Sequence, residues 1–180
     1  MFETIVDVLR RINRLIALIV GAVLALTVLF ILADITLRQF GHSFGGSDEV
    51  SGYVMAFVAS WGLSFALLEL AHVRIDLLRL KLAQTGRSIL DLIAISATAA
   101  VTTVVAWQCW PVLAKSLERG SRANTPLETP LWIPQSIWFS GWVWFATASV
   151  LLLICAFGML AQRQQSQFEN AVGTATETEI

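Results

Sequence analysis

The chain has 180 residues, of which 56% are hydrophobic and only 14% are charged, and its formal net charge is −1. An ordinary soluble domain carries about 25% charged residues, so this composition excludes a typical soluble protein and indicates a lipid environment. The near-zero net charge gives no support to a nucleic-acid partner.

Four stretches of the chain are long and apolar enough to cross a lipid bilayer. Runs of 19, 19, 23 and 34 residues contain no Asp, Glu, Lys or Arg, and they occur in that order along the sequence. A membrane-spanning helix needs about 20 apolar residues. The sequence therefore predicts an all-α membrane protein with four transmembrane helices, at about residues 15–37, 49–70, 89–113 and 134–161.

The first 14 residues carry a helical pattern of their own. Phe2, Ile5, Val6, Leu9 and Ile12 recur at helical spacing, with charged residues at other positions. This pattern predicts a short amphipathic helix on the membrane surface ahead of the first span, and a plain extension of that span is the alternative. The apolar run that follows is longer than that of a typical signal peptide, which favours an uncleaved anchor.

Polar residues mark the junction between the first and second spans. Asp34 and Arg38 are four residues apart, and this spacing on a helix predicts a salt bridge. Three glycines in the following loop break the helix. Asp48 and Glu49 then open the second span, where the positive end of the helix dipole favours carboxylates.

Small residues form a stripe along the second span. Gly52, Ala56, Ser60 and Ser64 are spaced four residues apart, and small side chains let membrane helices approach one another closely. The stripe therefore either closes the four helices on one another or contacts another subunit, and the sequence leaves both possibilities open.

The second span ends in a polar cluster within LLELAHVRID, residues 67–76. Glu69 and His72 are three residues apart and can face one another. The cluster is the boundary where a helix meets water, a polar anchor for another subunit, or a proton relay. Deep tryptophans of the spans face either lipid or a partner protein. The candidates for a partner interface are therefore Gly52, Ala56, Ser60, Trp61, Ser64, Glu69, His72, Asp76, Trp142 and Trp144.

The loop before the fourth span is rich in proline and in charge. Pro126, Pro130 and Pro134 prevent a continuous helix and favour extended backbone. Proline orders such a loop and charged residues keep it hydrated. We therefore predict a docking surface here, and a plain connector is the alternative.

The distribution of Lys and Arg predicts the orientation of the chain. With both termini on one side of the membrane, eight of these residues lie on that side and four lie on the other. The positive-inside rule then places both termini in the cytoplasm. The tail at residues 162–180 is polar, and we predict that it is disordered.

The sequence carries no recognisable catalytic or cofactor-binding site. His42 and His72 lie at opposite ends of one span, which excludes a haem held by two histidines at one depth. Cys109 and Cys155 lie inside spans without metal-ligand spacing. Charges at mid-membrane, which mark ion and solute pathways, are also missing. We therefore predict a protein that is not an enzyme and that binds no cofactor and no metal.

Four motifs occur in the order typical of one family. DITLRQF ends the first span, SDEVSGY opens the second, AHVRID leaves it, and TPLETPLW leads into the fourth. From about residue 10 to residue 161, the chain resembles the small membrane subunit of tripartite ATP-independent periplasmic (TRAP) transporters. Ser47 stands where the family often has Trp, and Glu69 stands where a basic residue is common.

The resemblance implies a scaffold subunit in the inner membrane of a bacterium. Such a subunit supports a large polytopic membrane subunit, which holds the substrate and sodium sites and moves as an elevator. A periplasmic binding protein delivers the substrate, commonly an organic acid. We predict on this basis that the binding protein docks near Asp48, Glu49, Arg119, Arg122 and the proline-rich loop, and that membrane lipids surround the rest.

Two other functions remain open at this point. A free-standing small four-span carrier usually has an essential carboxylate inside a span, whereas the deepest carboxylates here, Asp34 and Asp91, lie near span ends. The other alternative is the membrane anchor of an unrelated complex, which only the resemblance disfavours.

Overall fold

The computed structural model describes residues 2–71 and 82–173. These residues form helices connected by short loops, and no β-strand occurs among them. The predicted all-α fold is thus confirmed. The helices are α1 (Phe2–Gln39), α2 (Ser47–Leu68), α3 (Gln84–Arg119), α4 (Trp132–Ala161) and α5 (Gln165–Val172).

Four of these helices are long and apolar enough to cross a membrane, as predicted. They contain 38, 22, 36 and 30 residues. At a rise of about 1.5 Å per residue, even the shortest reaches about 33 Å, which matches the roughly 30 Å hydrocarbon core of a bilayer. The two longest, α1 and α3, extend beyond that core, and their own charged residues lie toward their ends.

The long helices pack in a row. α1 packs on α2, α2 packs on α4, and α4 packs on α3, so that α1 and α3 lie at the two edges, and α1 also makes a smaller contact with α4. In the most apolar stretch of each helix, 39% of the residues are buried in α4 but only 11% in α1. The central helix is therefore buried more within the chain than the edge helix, which leaves most of its surface to its surroundings.

A glycine ends α3, and a proline lies in the first turn of α4, on the two sides of the loop that joins these helices. Gly120 ends α3 with a φ of 58°, a left-handed conformation that glycine adopts without steric cost. Pro134 lies in the first turn of α4, where the missing N–H costs no helical hydrogen bond.

Small residues bring α2 and α4 close together. A Cβ atom added to Gly141 of α4 would lie 2.5 Å from Ser60 Oγ. Ser60 and Ser64 are fully buried within the chain itself. Their assignment to a partner interface was therefore wrong, because this half of the stripe closes the helices on one another. Gly52 is exposed and Ala56 is half-buried, so the other half stays accessible.

The first 14 residues are a plain extension of the first span in this structure. α1 runs without a break from Phe2. Val6 and Leu9 are buried in the hydrophobic core, and a Cβ at Gly158 of α4 would lie 2.3 Å from Phe2 Cζ. Packing against α4 therefore replaces the separate surface helix that the amphipathic pattern suggested.

The polar tail is not wholly disordered, contrary to our prediction. It contains α5, whose residues Phe168, Ala171 and Val172 are buried. They are spaced i, i+3, i+4, so they form an apolar stripe on one face of a short helix. The pattern is only two turns long and stands between polar residues, which is why composition alone missed it. Residues 174–180 lie outside the described part.

Candidate functional site

Polar side chains gather at the two ends of the row of helices. The loop end contains the loops at residues 40–46 and 120–131. A Cβ at Gly46 would lie 2.5 Å from Leu127 Cδ1, so the two loops touch. The terminal end contains the start of α1, the end of α2 and α5, which Arg10 joins through two hydrogen bonds.

Asp34 organises the first loop at the loop end. Its Oδ2 lies 2.7 Å from Arg38 Nη2, which is the ion pair that the spacing predicts. The same carboxylate accepts hydrogen bonds from Ser43 Oγ at 3.0 Å, the Phe44 N–H at 2.8 Å and Ser47 Oγ at 2.7 Å. The Asp34 side chain is 1% exposed. All of these partners lie within 13 residues of Asp34 in the sequence. The role of Asp34 is therefore to fix the shape of this loop.

The loop between α3 and α4 forms a small hairpin at residues 121–131, which we call the loop hairpin. The Ala123 N–H donates to the Thr129 carbonyl at 2.9 Å, and the Leu131 N–H donates to the Ser121 carbonyl at 2.9 Å. A tight turn is closed by the Glu128 N–H, which donates to the Thr125 carbonyl at 3.0 Å. Its tip, residues 124–128, is exposed.

Glu49 connects the loop hairpin to α2. Its carboxylate accepts hydrogen bonds from Tyr53 Oη at 2.7 Å and from the hydroxyl of Thr125. The Thr129 hydroxyl and the Leu127 N–H also interact with this carboxylate. Glu49 is half-buried, and the hydrogen bonds of its carboxylate are made within its own chain.

The other three predicted docking residues are accessible. Asp48, Arg119 and Arg122 are exposed at the loop end. Arg122 Nη1 donates to the Glu128 carbonyl at 3.4 Å, which directs the arginine along the loop hairpin. The structure thus separates the predicted set into three exposed side chains and one carboxylate that is engaged internally.

At the terminal end, Glu69 pairs with a residue that the sequence did not suggest. Arg14 Nε lies 3.0 Å from Glu69 Oε1. Arg10 donates to the Leu68 carbonyl at 3.4 Å and to the Asn170 carbonyl at 2.6 Å, so one cation lies at the ends of two helices, where the dipole favours it. His72 and Asp76 lie outside the described residues, so the predicted contact between Glu69 and His72 stays a prediction.

Sequence reasoning also missed a buried amide. Asn13 of α1 is 0% exposed. Its Oδ1 accepts hydrogen bonds from Ser64 Oγ at 2.6 Å and from Trp144 Nε1 at 3.3 Å, and its Nδ2 donates to the Leu9 carbonyl at 2.9 Å. A signal was present, because Asn13, Thr27 and Asp34 recur at multiples of seven residues on the buried face of α1.

The tryptophans proposed as partner contacts have mixed roles. Trp144 binds Asn13, and Trp61 Nε1 donates to the Ile137 carbonyl at 3.0 Å. Trp142 Nε1 is buried and has no acceptor within the described part of the chain. The two former tryptophans therefore join helices of this chain, although all three remain half-buried.

The edge helices leave large apolar surfaces uncovered. On α1, Leu18 is 72% exposed and Leu26 is 65% exposed; on α3, Trp107 is 78% exposed and Val104 is 61% exposed. Water would make such faces unfavourable, whereas lipid or an apolar partner solvates them. Within residues 2–71 and 82–173, no group of three or more His, Cys, Asp or Glu residues is placed to hold a metal ion.

These features define the class: an α-helical, multi-pass membrane protein whose polar side chains hold its loops and helix ends in place. The family model described as "Tripartite ATP-independent periplasmic transporters, DctQ component" matches residues 27–159. The chain belongs to this family, the small component of TRAP transporters. No curated protein and no solved structure gave a match.

Proposed function

We propose that this chain is a non-catalytic scaffold of a sodium-coupled, binding-protein-dependent transporter for organic acids. Family membership supports the role of a small transporter subunit. The observation that carries the scaffold role is the position of its charges. Between Arg14 and Asp34 of α1, and throughout α4, no Asp, Glu, Lys or Arg occurs, whereas ion and solute pathways usually have such groups at mid-membrane.

The main partner in this proposal is a large polytopic TRAP membrane subunit, which carries substrate and sodium and moves as an elevator. The uncovered apolar faces of α1 and α3 would contact that partner and membrane lipids. Gly52 and Ala56 remain accessible for close helix contact, and the Trp142 N–H could find an acceptor in the partner. The chain itself then serves as the fixed support.

The second partner is a periplasmic substrate-binding protein that docks at the loop end. This requires the bacterial inner membrane and both termini in the cytoplasm, which the excess of Lys and Arg on the side of the membrane that holds the termini and the connection between the second and third spans supports. Asp48, Arg119 and Arg122 are the exposed charges that would meet the incoming protein. Charges at the rim of an interface mainly affect the rate and specificity of docking.

The test of the scaffold role is a tagged purification from native membranes in mild detergent. A large polytopic partner at equal stoichiometry is expected. A chain that purifies alone and still moves solute in liposomes would instead be a free-standing carrier.

The test of docking is the charge reversal Arg119→Glu with Arg122→Glu in the reconstituted transporter. We expect the concentration of binding protein that gives half-maximal uptake to rise about tenfold, since two attractive contacts become repulsive. The control is Arg119→Lys with Arg122→Lys, which keeps both charges. Unchanged uptake in the charge-reversed protein would refute docking at these residues.

A further inference from the structure

We propose that Glu49 is a positioning residue, which acts through Thr125 to hold the loop hairpin in the shape that receives the binding protein. The inference rests on the docking role proposed above, and it reassigns Glu49 from a docking contact to an internal support. In the assembled transporter, Glu49 would then contact the loop hairpin of this chain and not the binding protein.

The geometry of Glu49 supports an internal role. The residue lies in the first turn of α2, which is a rigid helical platform. Its carboxylate receives the Tyr53 hydroxyl from the next turn of the same helix and the Thr125 hydroxyl from the loop hairpin. Hydrogen bonds to an ionised carboxylate are stronger than those between neutral groups. The bond to Thr125 thus joins two segments that are 76 residues apart in sequence.

The loop hairpin needs such a support because its own backbone bonds are few. Two cross-strand bonds and one turn bond hold its 11 residues together. Outside contact comes from Gly46, on which Leu127 packs, and from Glu49. Without the carboxylate, we expect the tip to sample many conformations, because a short loop gains considerable entropy when it is released.

The shape of the loop hairpin also determines the direction of Arg122. This residue pairs with Pro130 in the only β-bridge recorded for the described residues, and its guanidinium donates to the Glu128 carbonyl at the tip. A loop already held in its binding conformation has less entropy to lose when a partner docks, so its affinity is higher. Loosening the tip should therefore weaken docking while the transport step stays intact.

The test uses Thr125→Val in the complete reconstituted transporter, with uptake measured as a function of binding-protein concentration. We expect the half-saturating concentration to rise about threefold to tenfold, with the maximal rate unchanged. Thr125→Ser, which keeps the hydroxyl, should restore the original value. The matched control is Thr36→Val, which removes an exposed hydroxyl that only bonds to the Leu32 carbonyl of its own helix.

Two further measurements separate positioning from other roles. Hydrogen exchange at the amides of Ala123 and Leu131 should accelerate in Thr125→Val. Adding Thr125→Val to Glu49→Leu should raise the half-saturating concentration no further, because leucine has no acceptor and this variant already lacks the bond to Thr125. Fully additive effects, or unchanged exchange, would overturn the assignment of Glu49 to this bond.

The remaining outcomes distinguish the two proposals. If charge reversal at Arg119 and Arg122 weakens docking while Thr125→Val does not, the positioning role fails and the docking role stands. If neither change affects the half-saturating concentration, the docking role itself fails. A Thr125→Val protein that no longer assembles, or that loses only maximal rate, would make the contact a general structural one and also overturn the inference.

Discussion

At the scale of single residues, the buried polar side chains within residues 2–71 and 82–173 nearly all have hydrogen-bond partners in the chain. Asn13 makes three hydrogen bonds to its own helix, to α2 and to α4. A buried amide without partners would be costly, so a side chain of this kind specifies one arrangement of the helices around it. Asn13 therefore sets the relative position of three helices near the terminal end.

We expect Asn13→Ala to lower the stability of the purified chain by about 1–2 kcal/mol, because Ser64 and Trp144 lose their shared acceptor in a buried place. Thermal unfolding in detergent, followed by tryptophan fluorescence, measures the change. The control is Gln162→Ala, which shortens an exposed side chain. Equal melting temperatures for the two variants would show that the Asn13 network contributes nothing to stability.

At the scale of helices, two kinds of surface determine the packing. The buried face of α1 carries polar residues at multiples of seven residues, and its uncovered face carries leucine and isoleucine. This reverses the pattern of a soluble protein, because lipid solvates apolar side chains well. Between α2 and α4, contact instead depends on close approach at Gly141, where no side chain separates the two helices.

We expect Gly141→Ala to destabilise the chain by about 1–3 kcal/mol, since the added methyl group overlaps Ser60 and Trp61 and must push α2 away. Gly62→Ala is the matched control, because a Cβ at this helical glycine meets nothing within 4 Å. That control should be neutral or slightly stabilising, as alanine favours a helix by about 1 kcal/mol over glycine. Denaturation of both variants in detergent measures the difference, and equal stabilities would contradict the close contact.

At the scale of the whole molecule, the two ends differ in the kind of contacts they present. The loop end exposes charged side chains around a small hairpin, and the terminal end is held together by Arg10 and Arg14. Between them, the edge helices expose apolar surface that needs lipid or another subunit. This layout fits the proposed support, in which the lateral faces would contact the membrane and the large subunit and the loop end would receive the binding protein.

The proposed orientation predicts which end a membrane-impermeant maleimide reaches in intact cells whose outer membrane has been made permeable. Asn124→Cys, at the tip of the loop hairpin, should be labelled, whereas Gln162→Cys should be labelled only after the inner membrane is opened. The native Cys109 and Cys155 are 4% and 1% exposed, so the unsubstituted chain is the background control. The opposite labelling pattern would invert the topology and remove the docking proposal.

Local patterns predicted much of the fold. The four spans follow from the length of the four runs without charged residues, because a helix needs about 20 apolar residues to cross a bilayer. The ion pair of Asp34 and Arg38 follows from one turn of helix. The exposed candidates Arg119, the last residue of α3, and Arg122, in the loop hairpin, follow from charge in and beside a proline-containing loop. Each of these features depends on residues close together in the chain, so the sequence alone contains the information.

The sequence by itself determined the class of protein, the number of spans and the local ion pair. Tertiary structure decided that Ser60 and Ser64 face inward, that Glu69 meets Arg14, and that Glu49 holds a loop 76 residues away. The physical reason is that lipid and protein interior are both apolar, so hydrophobic pattern does not distinguish a helix face that meets lipid from one that meets protein. Only the packing of helices makes that choice.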